Sequence, residues 1–377
     1  MKRYKVKKQV SVKEMKIFKP GLTFLIYFFS FYFFGQTTNP KIGFVLDSLR
    51  EAYEIPALSV SLIQPDTCYY GIKGVTNING DVPVSLTSKF HLGSNSKAIT
   101  SFLAMKMVEK KEISLETKFI DIFPNLTDSI AKDYLPITLS DLMSHQALVQ
   151  PYTSGIEFMK LPVLKGTTTE KRYQFSKYVL NEQTSKKGTY SNAGYVLVAL
   201  MLEKVSKKSF EYLLDELMND LEFEYFIGFP NKETVSNPWG HWRENEKLVP
   251  LAPSHFYQLK DFMLPAGDIS MNSIDYSKFI RLHLNGLLKN DNYLKAKNYR
   301  KMHFGFSPYS YGWGNNLTEG KTISFHDGSA GTYYCHTILY PEKKMGVVVM
   351  ANAADQEQIK GIYKLREWIS ENMEIME

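Results

Sequence analysis

Strand patterns stand at both ends of this 377-residue chain and helix patterns fill its middle, and no other feature constrains the fold as strongly. Near the start, Ala57–Gln64 and Cys68–Ile72 are rich in Val, Ile and Tyr around Pro65 and Asp66, which predicts a hairpin. Near the end, Thr322–Phe325, Thr332–Tyr340 and Met345–Met350 read as strands, with Pro341 and Glu342 in the last turn and a closing helix from Gln356 to Met373. Between these ends, Asn192–Val205 and Ser209–Leu217 carry apolar residues at helical intervals, broken by Pro- and Gly-containing stretches near 151–166 and 229–239. Strands from both termini that share one sheet, with a helical insert beside it, give the α+β class.

The formal net charge of +6 is confined to one end. Residues 1–35 hold Lys2, Arg3, Lys5, Lys7, Lys8, Lys13, Lys16 and Lys19 against Glu14, a balance of +7 that leaves the remainder at −1. A nearly neutral body gives no electrostatic footprint for nucleic acid. The basic start precedes the apolar run Leu22–Phe34, shorter than the ~20 residues a membrane-spanning helix needs. Residues 1–35 therefore predict an export signal peptide, with an uncleaved N-terminal anchor as the alternative and Met15 as a possible start. The expected location is periplasmic or cell-envelope associated, and residues 36–377 form the working domain. Eight histidines and two cysteines show no His-x-x-x-His or Cys-x-x-Cys spacing, so neither a metal nor another cofactor is expected.

Three short motifs carry chemistry. In Gly93-Ser94-Asn95-Ser96-Lys97, at the entrance to an apolar helical pattern, residues three apart share a face and bring Lys97 to the Ser94 hydroxyl. The helix N-terminus and burial both disfavour a lysine ammonium, leaving an amine able to activate a serine nucleophile. The same spacing recurs at Ser129 and Lys132, but beside Asp128, Asp133 and Pro136 in polar surroundings, where it reads as a cap. Tyr190-Ser191-Asn192 opens the next helix: Tyr190 can share a proton with a lysine, and Asn192 can orient a substrate carbonyl and the lysine together. His326-Asp327-Gly328-Ser329 follows a strand pattern, where Gly328 lets substrate lie against the strand edge and the Ser329 N–H can join that of Ser94 as an oxyanion hole. A His-x-Gly also occurs at His91 to Gly93.

In order and context these motifs resemble class C β-lactamases, DD-peptidases and related esterases, the penicillin-recognising serine hydrolases. Further similar stretches are Phe90–Lys97, Ile137–His145, Pro265-Ala266-Gly267-Asp268, Tyr311-Gly312-Trp313-Gly314 and the block from His326 to Asn352. The resemblance implies a β-lactamase/transpeptidase-like fold: an antiparallel sheet flanked by helices, an all-α lobe over roughly 115–260, and a cleft between them. It implies catalytic roles for Ser94, Lys97 and Tyr190, substrate contacts from Asn192, His326, Gly328 and Ser329, and a small-molecule or short-peptide substrate. It also implies that Cys68 and Cys335 lie on strands that are not neighbours, leaving two free thiols. Two departures stand out: Gln146-Ala147-Leu148 after Ser144-His145, where the family carries small polar residues, and His326 where dedicated β-lactamases carry lysine. A neutral histidine does not hold an antibiotic carboxylate as an ammonium does. Peptidase or esterase chemistry is therefore favoured, with a true β-lactamase or a silent cell-envelope peptide- or penicillin-binding protein as alternatives.

Overall fold

The computed structural model describes residues 36–38, 40–318 and 321–372, so the expected leader, residues 1–35, lies outside the described residues. Its strands are β1 (Gln36–Thr38), β2 (Ala57–Ile63), β3 (Cys68–Gly74), β4 (Lys89–His91), β5 (Tyr225–Ile227) and β6 (His241–Glu244), followed by β7 (Lys247–Pro250), β8 (Ile269–Asn272), β9 (Gly314–Thr318), β10 (Lys321–Ser329), β11 (Tyr334–Tyr340) and β12 (Met345–Ala351).

Seven strands form the main sheet in the order β1-β3-β2-β12-β11-β10-β9, joining both ends of the chain as the pattern requires. All of its pairings are antiparallel except β1 with β3. The expected hairpin is present, with Ala57 opposite Gly74 and Ile63 opposite Cys68. Period-two alternation decides which residues face which layer. Leu58, Val60 and Leu62 of β2, with Val347 and Val349 of β12, pack on Ile42 and Leu46 of the helix Pro40–Ala52 and on Ile362, Leu365 and Ile369 of Gln356–Glu371. Ala57, Ile63, Val348 and Met350 join the larger core on the other face, which runs through the helical part of the chain.

Two helices form the centre of that core, and each is buried on most of its circumference. They are Ser96–Glu109, buried at Ala98, Ile99, Phe102 and Leu103, and Asn192–Ser206, buried from Ala193 to Glu203. The Asn192 helix is capped by Ser191, whose hydroxyl accepts the Gly194 N–H. The stretch 115–260 is mainly helical but also carries β5, β6 and β7, and β5 pairs with β8 from beyond it.

Two boundaries differ from the sequence reading. The third strand pattern extends to Ser329, so the His326 motif lies within β10 rather than after it, because its alternating residues pair with β11 from Ser324 to Ser329. The helix Pro40–Ala52 was not among the expected elements, although Ile42, Val45, Leu46 and Leu49 recur at helical intervals, and it packs that face on β2 and β3. Cys68 and Cys335 are buried, unbonded to each other and separated by β2 and β12, as the sheet order implied.

Candidate active site

Ser94 sits in a short 3-10 turn, Gly93–Asn95, that leads into Ser96–Glu109. Its neighbours fix the turn: Asn95 Nδ2 donates to Cys335 O (2.8 Å), Tyr276 donates to Asn95 Oδ1 (3.0 Å), and Ser96 donates to Gly93 O (2.8 Å). Asn95 thereby ties the turn to β11 in the main sheet. The turn also presses against β10 so closely that a Cβ on Gly328 would lie 2.0 Å from Leu92 O and 2.8 Å from Ser94 N. Gly93, at φ +52°, would place a Cβ 2.5 Å from Ser329 N. Side chains are excluded at both positions by backbone contact, not by turn conformation alone.

That contact creates a polar corner. Ala330 N–H donates to Tyr333 O (3.3 Å), one step beyond the Ser329–Tyr334 pair. Alternation in an antiparallel ladder therefore turns the Ser329 N–H away from β11, toward the Ser94 turn. Ser94 lies in the first turn of its helical segment, where N–H groups have no intrahelical acceptor. Two N–H groups placed in this way can hold a developing oxyanion.

Lys97 is fully buried. Its Nζ lies 3.0 Å from Ser94 Oγ and donates to Ala266 O at 2.6 Å. Burial holds its pKa well below the ordinary lysine value of 10.5. In the neutral form one N–H serves Ala266 and the lone pair can take the Ser94 proton. Tyr190 presents its ring to the same nitrogen, 4.8 Å from the centroid. Burial raises the Tyr190 pKa, partly offset by a hydrogen bond from Ser94, so the side chain is a phenol at neutral pH.

His326 completes the array. Its Nδ1 donates to Gly312 O (2.6 Å), which leaves Nε2 as the acceptor for the Tyr190 hydroxyl at 3.2 Å. Burial first, then Lys97, lowers the His326 pKa to about 4, so the ring is neutral at pH 7. The structure thus brings Ser94, Lys97, Tyr190 and His326 into one chain of contacts, with Gly328 and Ser329 beside it.

Asn192 differs from expectation in one respect. Its Nδ2 donates to Tyr152 O (2.9 Å) and its Oδ1 has no hydrogen-bond partner among the described residues, so no bond to Lys97 forms. The Tyr152 carbonyl is the nearer partner once the 150s loop folds over the helix start. Ser129, by contrast, is exposed and donates to Leu126 O as a local turn.

A cleft of about 470 Å³ opens on Ser94, lined also by Tyr152, Asn192, Lys260, Met263 and Ser329. Larger grooves lie elsewhere, one of about 890 Å³ along Tyr173 and Lys204, but they hold none of the three motifs. Sequence reading missed two contributors. Ala266 acts through a carbonyl, which any residue supplies. His145, at φ +60°, accepts the Ser191 N–H (3.2 Å) through Nδ1 and packs 4.4 Å from the Tyr190 ring. Its signal was the stretch Ile137–His145 already set apart.

The Beta-lactamase family model matches residues 45–366. The chain belongs to the Beta-lactamase family. Among curated relatives, Protein flp of Staphylococcus aureus (strain MW2) is 22% identical over 329 residues, 84% of this chain and 63% of its own length. The chain thus spans less than two thirds of that relative. Penicillin-binding protein 4 of Amycolatopsis lactamdurans is 21% identical over 327 residues, 81% of this chain and 83% of its own. Among solved structures, the octameric penicillin-binding protein homologue from Pyrococcus abyssi aligns with a TM-score of 0.70 at 22% identity, covering 88% of this chain and 77% of that one. A class C beta lactamase from Rhodobacter sphaeroides aligns with a TM-score of 0.69 at 18% identity, covering 88% and 99%. At these identities the structural matches show the β-lactamase/transpeptidase-like fold, which the sequence resemblance implied.

Proposed function

We propose that this protein is a serine hydrolase that forms an acyl-enzyme on Ser94, acting on amide or ester carbonyls of a small molecule or short peptide. The observation that carries this reading is the buried Lys97 amine 3.0 Å from the Ser94 hydroxyl. Lys97 takes the Ser94 proton as Oγ attacks the carbonyl, and the oxyanion is met by the N–H groups of Ser94 and Ser329. On collapse, Tyr190 gives its phenol proton to the leaving nitrogen or oxygen and regains one from the Lys97 ammonium. Water then attacks the acyl-enzyme, its proton passes through the same pair to Ser94 Oγ, and the acid leaves. His326 Nε2 orients the Tyr190 hydroxyl, and Asn192 lines the cleft beside Ser94. The export expected from residues 1–35 belongs to this proposal and puts the reaction outside the cytoplasm.

A fluorophosphonate is expected to add once to the purified protein, with the adduct absent from Ser94→Ala. Intact mass checks this; an unlabelled wild-type protein would move the reading to a binding protein without turnover.

The neutral His326 favours carboxylic esters, or D-amino-acid peptides blocked at the C-terminus, over β-lactams, because no cation stands at that position to meet a substrate carboxylate. Penicillin and cephalosporin kcat/KM is expected to fall at least about tenfold below that of the best ester or C-terminally amidated D-Ala peptide, the scale of one lost charge-assisted bond. Antibiotic turnover like that of a resistance enzyme would contradict it.

A further inference from the structure

A second polar array lies directly behind the Ser94 turn. His91 ends β4 and Asp268 immediately precedes β8, two strands that pair with His91 opposite Ser270. Gly93 N–H donates to His91 Nδ1 (3.1 Å), so that nitrogen carries the lone pair. The ring proton is therefore on Nε2, which donates to Asp268 Oδ1 at 2.9 Å. His91 is fully buried, with the Phe229 ring 5.0 Å and the Tyr333 ring 5.9 Å from its own. Asp268 is 7% exposed.

The segment that supplies Asp268 also touches Lys97. Ala266 O accepts from Lys97 Nζ, and Pro265 O accepts from Thr100 Oγ1 one helical turn on, at 2.7 Å. Four consecutive residues, 265–268, thus govern both ends of the Ser94–Lys97 pair: one end through carbonyls, the other through His91 and the Gly93 N–H. Gly93 holds φ +52°, a conformation that sets where the next residue's N–H and side chain point.

We propose that His91 and Asp268 are positioning residues for Ser94. Asp268 fixes the His91 tautomer, His91 accepts the Gly93 N–H, and the resulting turn aims Ser94 Oγ and N–H at the substrate carbonyl. In the opposite tautomer an N–H would face the Gly93 N–H and the turn would open. The proposal rests on Ser94 being the nucleophile.

Fluorophosphonate inactivation kinetics, resolved into kinact and KI, test it on the full protein with thermal melts alongside. His91→Leu and Asp268→Leu are expected to lower kinact about 100-fold with KI little changed, the cost of misplacing a reacting group by about an ångström. His91→Asn keeps an acceptor near Nδ1, and Asp268→Asn keeps one for Nε2–H; both are expected within about tenfold of wild type. Folded leucine variants that react at the wild-type rate, or conservative variants as slow as the leucine ones, would overturn the proposal. Long-range ¹H–¹⁵N spectra of histidine-labelled protein, assigned through His91→Asn, are expected to show His91 protonated on Nε2. A proton on Nδ1 would overturn the dyad whatever the chemistry at Ser94, whereas an unlabelled wild-type protein with the Nε2 tautomer would overturn the hydrolase reading and, with it, the claim on Ser94.

Discussion

Lys97→Met is expected to lower the rate of Ser94 acylation by about 10³-fold, within the range assigned to a general base, while leaving the protein as stable as wild type or more so near neutral pH. The two effects share one cause. Burial lowers the Lys97 pKa well below 10.5, so between that depressed pKa and 10.5 the native state holds a neutral amine where the unfolded chain binds a proton. Stability rises with pH wherever the unfolded state binds more protons, so Lys97 opposes folding below pH 10.5 and ceases to do so above it. Methionine has similar length and no charge to lose. The stability difference between variant and wild type should therefore shrink as pH rises through the alkaline range, less the cost of leaving Ala266 O without its donor. Acylation in the wild type should have the opposite dependence: present above the depressed pKa, and lost as pH falls through it and the amine gains a proton. Denaturation at several pH values and fluorophosphonate rates over the same range check both. A stability difference that does not change with pH would mean that Lys97 is an ammonium in the folded protein and is not the base.

Arg172→Met is expected to destabilise the fold by about 3 to 5 kcal/mol, the scale for removing one partner of a buried ion pair. Arg172 is fully buried on the helix Thr168–Val179. Its Nη1 donates to Glu203 Oε1 (2.6 Å), its Nη2 reaches Glu211, and its Nε donates to Phe262 O (3.1 Å). Glu203 Oε1 also accepts the Phe210 N–H (2.8 Å) and the Thr169 hydroxyl (2.8 Å). Without the guanidinium, Glu203 stays buried with its charge unmatched. The bond to Phe262 O also connects this network to the segment leading to Ala266, so the damage reaches the carbonyl that Lys97 uses. Urea denaturation measures the loss. Adding Glu203→Gln to Arg172→Met should recover part of it, because the neutral amide can be buried without a counter-ion. If the second substitution brings no recovery, the cost comes from packing and not from an unpaired charge.

The residues themselves carried the architecture. Apolar and β-branched residues in Ala57–Ile63 and the continuous apolar run Met345–Ala351 marked strands, and apolar residues at helical intervals in 96–109 and 192–206 marked helices. Such periodicities are local, and a sheet that must hide them leaves few ways to arrange them. The spacing of Ser94 and Lys97 was legible for the same reason, since one helical turn fixes their separation.

Contacts between distant segments were not legible. His91 meets Asp268 across 177 positions, and Tyr190 meets His326 across 136. No local period encodes such pairs. The Asn192 amide bonds Tyr152 O, 40 positions away, and the Lys97 amine bonds Ala266 O, 169 positions away, carbonyls that only the folded chain brings near. Sequence by itself determined the five central strands of the main sheet, β2, β3, β10, β11 and β12, the two helices of the core and which side chains could do chemistry. Tertiary structure alone decided the bond of Lys97 to Ala266 O, the bond of Asn192 to Tyr152 O, the pairing of His91 with Asp268 and the free nitrogen of His326, because each depends on partners supplied by other segments.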